Sequence, residues 1–344
     1  RVNWLYETEP QRELNGRRIK QPRGKVLGGS SSINGLVYIR GQREDFDGWR
    51  QLGCTGWGYD DVLPYFRRAE DQMRGADAFH GTGGPLAVSD RTEPHPLCDA
   101  FIAACAEGGL PANPDFNGAV QEGAGYYQMT ARRGRRCSTA VGYLKPARGR
   151  ANLRIVTEAL ATRILFEGRR AVGIEYRRGR ERRRVMARRE IVLSGGAINS
   201  PQLLQLSGIG SADLLGRYGI PIVAERRDVG EAFQDHLQLR LVMRCTRPIT
   251  VNDDMASLIG KARIGLRYLL HRKGPLTVCA GYGGAFFRTD PRLATPDIQV
   301  HFLTFSTDRM GEKLHDFSGF TASVCQLRPE SRGSLRIKSA DPRE

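Results

Sequence analysis

Nowhere does this sequence run to the roughly 18 consecutive apolar residues that a membrane-spanning helix needs, which argues against an integral helical membrane protein. Its seven cysteines, at positions 54, 98, 105, 137, 245, 279 and 325, contain no Cys-x-x-Cys pair and no metal-ligand spacing. An odd, scattered set fits free thiols in a reducing compartment better than a disulfide framework or a zinc site, so a cytoplasmic protein without a metal is expected. No Ser-His-Asp spacing and no paired carboxylates emerge to suggest hydrolysis. The glycine fingerprint GxGxxG is missing as well: Gly81-Thr-Gly83 and Gly281-Tyr-Gly283 both lack the third glycine. A dinucleotide pyrophosphate seat on a helix N-terminus is therefore not encoded in these residues.

What is abundant is positive charge. The 344 residues carry a formal charge of +16, and the densest run is RRGRERRRVMARRE, Arg177 to Glu190. No aromatic residues are interleaved there to stack on bases, so the run reads as a solvated hairpin and not as a nucleic-acid site. Loose association with the inner face of a membrane is the alternative use for such charge. The length and the 40% hydrophobic content suit two globular domains.

The most informative stretch is Arg23 to Gly41, RGKVLGGSSSINGLVYIRG. Gly24, Gly28 and Gly29 permit close backbone approach and positive φ, while Ser30 to Ser32 offer hydrogen bonds to a polar ligand. Far downstream, GAINSPQLLQLSGIG (Gly196 to Gly210) follows the apolar Ile191, Val192 and Leu193. That order reads as a strand buried in a parallel sheet, a turn of small residues and a helix, with Ser200 at the N-cap, Pro201 at the first turn and Gly208 at the stop.

These two stretches, in this order, resemble the two signatures of the glucose-methanol-choline (GMC) oxidoreductases, flavoenzymes that oxidise alcohols. The resemblance extends from NWLYETEP near the start to CQLRPESRGSLRIKS near the end, and runs toward the choline and bacterial alcohol dehydrogenase branch. It implies an α/β (α+β, two-domain) chain, with an incomplete Rossmann-like FAD-binding domain and an antiparallel-sheet substrate domain. The implied segments are 1–60 with the flavin-contacting loop, 61–148 as lid and excursion, 149–235 as the return to the FAD domain, and 236–344 as substrate domain. The implied function is FAD-dependent oxidation of a primary alcohol, choline or another, with electrons passing to a quinone-like acceptor or to oxygen. Because the family places the missing fingerprint upstream of Arg1 and its catalytic histidine downstream of Glu344, the sequence is read as a fragment lacking both ends, with no catalytic base among its six histidines. A fragment that binds no cofactor, or a basic anionic-surface or nucleic-acid binder, are the competing readings.

The flavin contacts implied by the resemblance are Val26, Gly28, Gly29, Ser30, Asn34, Gly35, Leu36 and Val37 on the first signature, Ala161 in a strand, and Gly195 and Ala197 before the second helix. DVGEAFQDHL (Asp228 to Leu237) resembles the family's VGxNLQDH element but carries Ala232-Phe233 in place of asparagine-leucine. Its His236 is expected to be structural.

Helical spacing predicts helices over YDDVLPYFRRAED, with Pro64 in the first turn, and over Pro96 to Gly108. LRIVT, ATRILFEG and AVGIEY predict an antiparallel meander, and IQVHFLTF, FTASVCQL and SLRIKS an antiparallel sheet. His80 sits in a glycine-rich turn that resembles a family loop near the flavin, which would let it line the site, but solvent exposure is the expected reading. His301 alternates with Val300 and Phe302 and faces either a cavity or solvent.

Overall fold

The computed structural model describes residues 2–279, 281–309 and 311–344. In chain order its main elements are helices α1 (Arg43–Gln51) and α2 (Tyr59–Ala69), strands β1 (Glu70–Gln72) and β2 (Leu86–Val88), helix α3 (Pro96–Glu107) and strand β3 (Gly123–Tyr126). There follow strands β4 (Ala159–Glu167), β5 (Arg170–Arg178) and β6 (Glu181–Met186), helix α4 (Gly196–Leu206), strand β7 (Gln238–Arg244) and helix α5 (Leu258–His271). Strands β8 (Gly283–Phe287), β9 (Ile298–Leu303) and β10 (Gly319–Gln326) complete the set. Two compact units result, one of residues 1–153 and 237–328, the other of residues 154–236 and 329–344. The sequence had suggested four segments; instead the first two share one unit, and residues 329–344 fold with the second.

The first unit is built on an antiparallel sheet of order β7-β10-β9-β8-β3. IQVHFL and FTASVCQ alternate, so each strand offers one row to each face. On one face Val300, Phe302, Ala285 and Ala124 are buried against Leu97, Phe101, Ile102 and Cys105 of α3. That helix starts where the sequence predicts: the His95 ring accepts from the Leu97 amide at 3.2 Å, and Pro96 occupies the first position, where no backbone donor is needed. A second cluster, Phe116, Tyr127, Met129 and Phe286, is capped by Leu36, Val37 and Ile39 of the glycine-serine stretch.

His80 departs from expectation. Only 3% exposed, it sits in a charged knot with Arg40, Glu70 and Asp115. The parallel pairing of β1 with β2 puts Glu70 and Gln72 on one side, and the glycine turn folds the His80 ring back onto them.

In the second unit the meander has order β4-β5-β6, one strand later than the sequence suggests. LRIVT is irregular, and the arginine-rich run itself forms the third strand, exposed along its length. Pairing to β5 alone satisfies one edge, and the long arginine stems keep their charges in water. The expected parallel strand at Ile191–Leu193 is not formed: no described strand pairs with it and Val192 is 77% exposed. A strand of that kind needs partners on both edges, which no local pattern supplies.

Helix α4 begins at Gly196 with Gly195 as its cap, not at Ser200. Pro201 here and Pro64 in α2 each stand at the sixth residue of their helix, beyond the first turn, and each forgoes one backbone bond. SLRIKS is not a strand either. It is stapled by the fully buried Gln205, whose Nε2 donates to the carbonyls of Val229 (3.0 Å) and Leu335 (3.1 Å) while its Oε1 accepts from the Ile337 amide (3.0 Å). Leu206, Leu214, Leu215, Ile220 and Ile337 form the core beside it.

Candidate active site

The glycine-serine stretch shapes itself before it can bind anything. Gly28 has φ +86° and Gly29 φ +53°, and a Cβ on Gly24 would lie 2.2 Å from the Gly29 carbonyl oxygen. Only glycine allows that turn and that approach. The serine hydroxyls, expected to face a ligand, all bond within the loop, Ser30 as an acceptor only. Ser30 Oγ accepts from the Gly24 amide (3.1 Å), Ser31 Oγ donates to the Gly28 carbonyl (2.5 Å), and Ser32 Oγ donates to the Leu27 carbonyl (2.8 Å). Thr139 locks the turn from outside, its amide donating to Ser31 Oγ and its hydroxyl to the Gly28 carbonyl.

The following residues are held differently. Arg136 donates to Asn34 Oδ1 at 2.6 Å and to the Asn34 carbonyl at 2.8 Å, and Oδ1 also accepts from the Leu36 amide at 3.2 Å. Burial pulls the Arg136 guanidinium below its ordinary pKa, and two short bonds to one residue offset that desolvation. Leu36 is thereby kept at φ +68°, a strained conformation for a branched side chain, and its carbonyl is gripped by Thr130. Val37 then bridges to Met129. Within the described protein the amides of Gly35 and Val37 have no acceptor.

Asn34, Gly35, Leu36 and Val37 form one wall of a cavity of about 360 Å³. The other wall is the polar face of the sheet. Register places Arg240 of β7 opposite Ser323 of β10, and Ser323 opposite His301 of β9, so the three make one transverse row. Gln238, Leu303 and Gly281 complete the lining. His301 thus faces the cavity, with its ring 5.5 Å from that of Tyr127.

The expected flavin contacts divide between the two units. Val26, Gly28, Gly29 and Ser30 belong to the loop but not to the cavity wall, whereas Asn34 to Val37 line it. In the second unit Ala161 lies on β4, an edge strand, next to a register shift. Gly195 and Ala197 are exposed at the start of α4. Sequence reasoning missed Arg136 and Thr139, which set the loop, and Arg240, Gln238 and Ser323, which line the cavity. The alternation of QLRLVMR and FTASVCQ held the signal for the last three.

Trp49 packs on Phe46 of α1, and Trp57 packs on Trp49. The Tyr282 hydroxyl donates to the Glu93 carbonyl at 2.7 Å. A larger cavity of about 670 Å³, bordered by Arg132, Arg133, Arg135, Arg136 and Arg272, contains none of the signature residues. Among the described residues no cluster suits a metal ion and no helix is long and apolar enough to cross a membrane.

Residues 8–238 match the sequence model of the family described as GMC oxidoreductase. The chain is 44% identical over 342 residues to the oxygen-dependent choline dehydrogenase of Brucella suis biovar 1 (strain 1330), covering 99% of this chain and 62% of the relative. It is also 44% identical to the mitochondrial choline dehydrogenase of Homo sapiens, covering 100% of this chain and 58% of that one. It thus spans about three fifths of the length of these relatives. Among solved structures, pyridoxine 4-oxidase from Mesorbium loti superposes with TM-score 0.87 at 31% identity, covering 99% of this chain and 64% of that one. A formate oxidase gives TM-score 0.89 at 24% identity, covering 99% and 66%, which speaks to fold alone. With its two signatures shaping a loop and a helix start, and with matches of this extent, the chain belongs to the GMC oxidoreductases.

Proposed function

We propose that the full-length protein oxidises a primary alcohol to the aldehyde with FAD as cofactor, at the cavity between the Asn34–Val37 loop and the β7-β10-β9 face. The observation that carries this reading is the cavity wall itself, where a strained, clamped loop presents the unpartnered amides of Gly35 and Val37. Such donors fit the polar edge of a flavin ring, and the small Gly35 leaves room for close approach. Oxidation removes two electrons and two protons from the alcohol carbon and hydroxyl, and the bound flavin supplies the two-electron acceptor.

The protein's own residues bind and orient. Arg136 fixes Asn34, Asn34 fixes Leu36, and the row Arg240–Ser323–His301 offers hydrogen-bond donors to a substrate. The proton-accepting base is assigned to none of the six histidines. His80 is committed to two carboxylates, His95 caps α3, and His315 contacts Ser306 and Asp308. His301 is left a positioning role. Electrons leave to oxygen or to a quinone-like acceptor, and the free state of all seven cysteines supports a reducing location such as the cytoplasm. Choline and other primary alcohols are the substrates to be compared.

The test is the full-length protein with Asn34→Ala beside it. The parent should be yellow and lose its visible flavin absorption when an alcohol is added without an acceptor, and the variant should lose flavin occupancy or turnover. A colourless parent, or a variant that retains both properties in full, overturns the placement.

A further inference from the structure

The cavity carries charge of one sign. Among its lining residues Arg240 and His301 are the ionisable ones, and neither an aspartate nor a glutamate lines it. Arg240 is half-buried, and no carboxylate among the described residues pairs with it. Elsewhere in the same unit the buried Arg40 is matched with Glu70 and the half-buried Arg288 with Glu122, whereas Arg136 is bonded to Asn34. Withdrawing a guanidinium from water without a partner is costly, and burial lowers its pKa from the ordinary value, yet it remains cationic across physiological pH. A cation kept unpaired at a cavity wall marks a place for a ligand anion.

The surroundings fit the same charge. Across the sheet the guanidinium is aligned with Ser323 and His301, and the Ser323 hydroxyl donates to Gln238 Oε1 at 3.4 Å. A quaternary ammonium calls for the opposite, aromatic faces and a carboxylate. The cavity lining has neither, since Trp49 and Trp57 pack elsewhere and the Tyr282 hydroxyl is bonded to Glu93.

We propose that Arg240 sets the charge of the substrate: the alcohol oxidised carries a carboxylate that pairs with this guanidinium, and quaternary ammonium alcohols are disfavoured. This rests on the oxidation reading above, but its charge preference can be measured apart from it. In the full-length, flavin-loaded protein, kcat/KM is compared for 4-hydroxybutanoate, for choline and for its uncharged isostere 3,3-dimethylbutan-1-ol. The carboxylate should be the best of the three and choline the poorest. Relative to the neutral alcohol, Arg240→Gln should lower the carboxylate's kcat/KM by about tenfold or more and raise that of choline. Arg240→Lys, which keeps the charge, should preserve the order.

Choline preferred over its isostere in the parent overturns the proposal. So does an equal loss on all three alcohols in Arg240→Gln, which would mean that the guanidinium serves the flavin and not the substrate. A thermal-shift titration at constant ionic strength supplies the second readout: 4-hydroxybutanoate should stabilise the parent and not Arg240→Gln, with choline chloride giving no such difference. If no alcohol reduces the flavin but that Arg240-dependent shift is present, the oxidation reading falls and the charge preference stands. If the shift is missing, the charge preference falls.

Discussion

His80 can be made to report its own protonation through stability. Its Nδ1 lies 3.1 Å from both oxygens of Glu70, and its Nε2 lies 2.9 Å from Asp115 Oδ2. A neutral imidazole has one N–H and could donate to only one of these carboxylates; the imidazolium donates to both. Burial opposes the charge, but the hydrogen bonds to Asp115 and Glu70 outweigh it and raise the pKa from 6.5 to about 9. Glu70 also meets Arg40, Gln72 and the Gly81 amide, so the whole knot depends on that proton. Because the folded pKa exceeds the unfolded one, the stabilisation is complete below pH 6.5 and is lost as the pH rises through about 9. Between those values the native state holds one proton that the unfolded chain has released, so stability falls by about 1.4 kcal/mol per pH unit, about 3 kcal/mol over the window. Urea unfolding of the parent and of His80→Gln, followed across that window, measures it. The variant should start less stable and lack this component of the slope, so the two curves converge as the pH rises. Parallel curves would show that His80 holds no extra proton, and the reasoning would fail.

Ala232 sits at φ +55°, in the left-handed region that costs an alanine roughly 1 kcal/mol, at the position where the resembling element has asparagine. Ala232→Asn should raise the unfolding free energy by about 0.5–1 kcal/mol, read from the urea midpoint at unchanged slope, and a loss of stability would contradict the assigned backbone. His301→Asn should lower turnover by no more than about tenfold and leave the pH profile of kcat/KM in place. A loss of about a thousandfold, together with disappearance of the basic limb, would make His301 the base that the reading above denies.

The local parts of the fold were the readable ones. Helix α3 announces itself through the helical spacing of Leu97, Phe101, Ile102 and Cys105 and its terminal Gly108. The Gly24–Ser32 turn is equally local, and its glycines were correctly seen as close-approach positions. What the residues could not disclose was direction: Ser30 and Ser31 bond back onto the loop region through Gly24 and Thr139, and Thr139 is more than a hundred residues away. His80 was misjudged for the same reason, its three partners being spread over Glu70, Gln72 and Asp115. An exposed-looking glycine turn became a buried ionic site once two strands paired beneath it.

Strand identity failed where it depended on neighbours. Ile191 to Leu193 has the composition of a central strand, yet composition only makes a segment fit for a sheet; the hydrogen bonds must come from elsewhere in the chain. The arginine-rich strand is the converse, poor in strand formers but zipped to β5 by a tight turn at Gly179. The same dependence explains why half of the candidate site was invisible. Arg240, Ser323 and His301 are ordinary alternating residues in three separate segments, and only the register of β7 on β10 and β10 on β9 lines them up. A slip of one residue would turn Arg240 to the opposite face and bring Leu239 or Leu241 to the cavity. The chemistry of that wall therefore belongs to the pairing and not to any one stretch, while the residues of the facing wall, Asn34 to Val37, are legible from the continuous signature that leads into them, although Arg136 and Thr130 hold them in place.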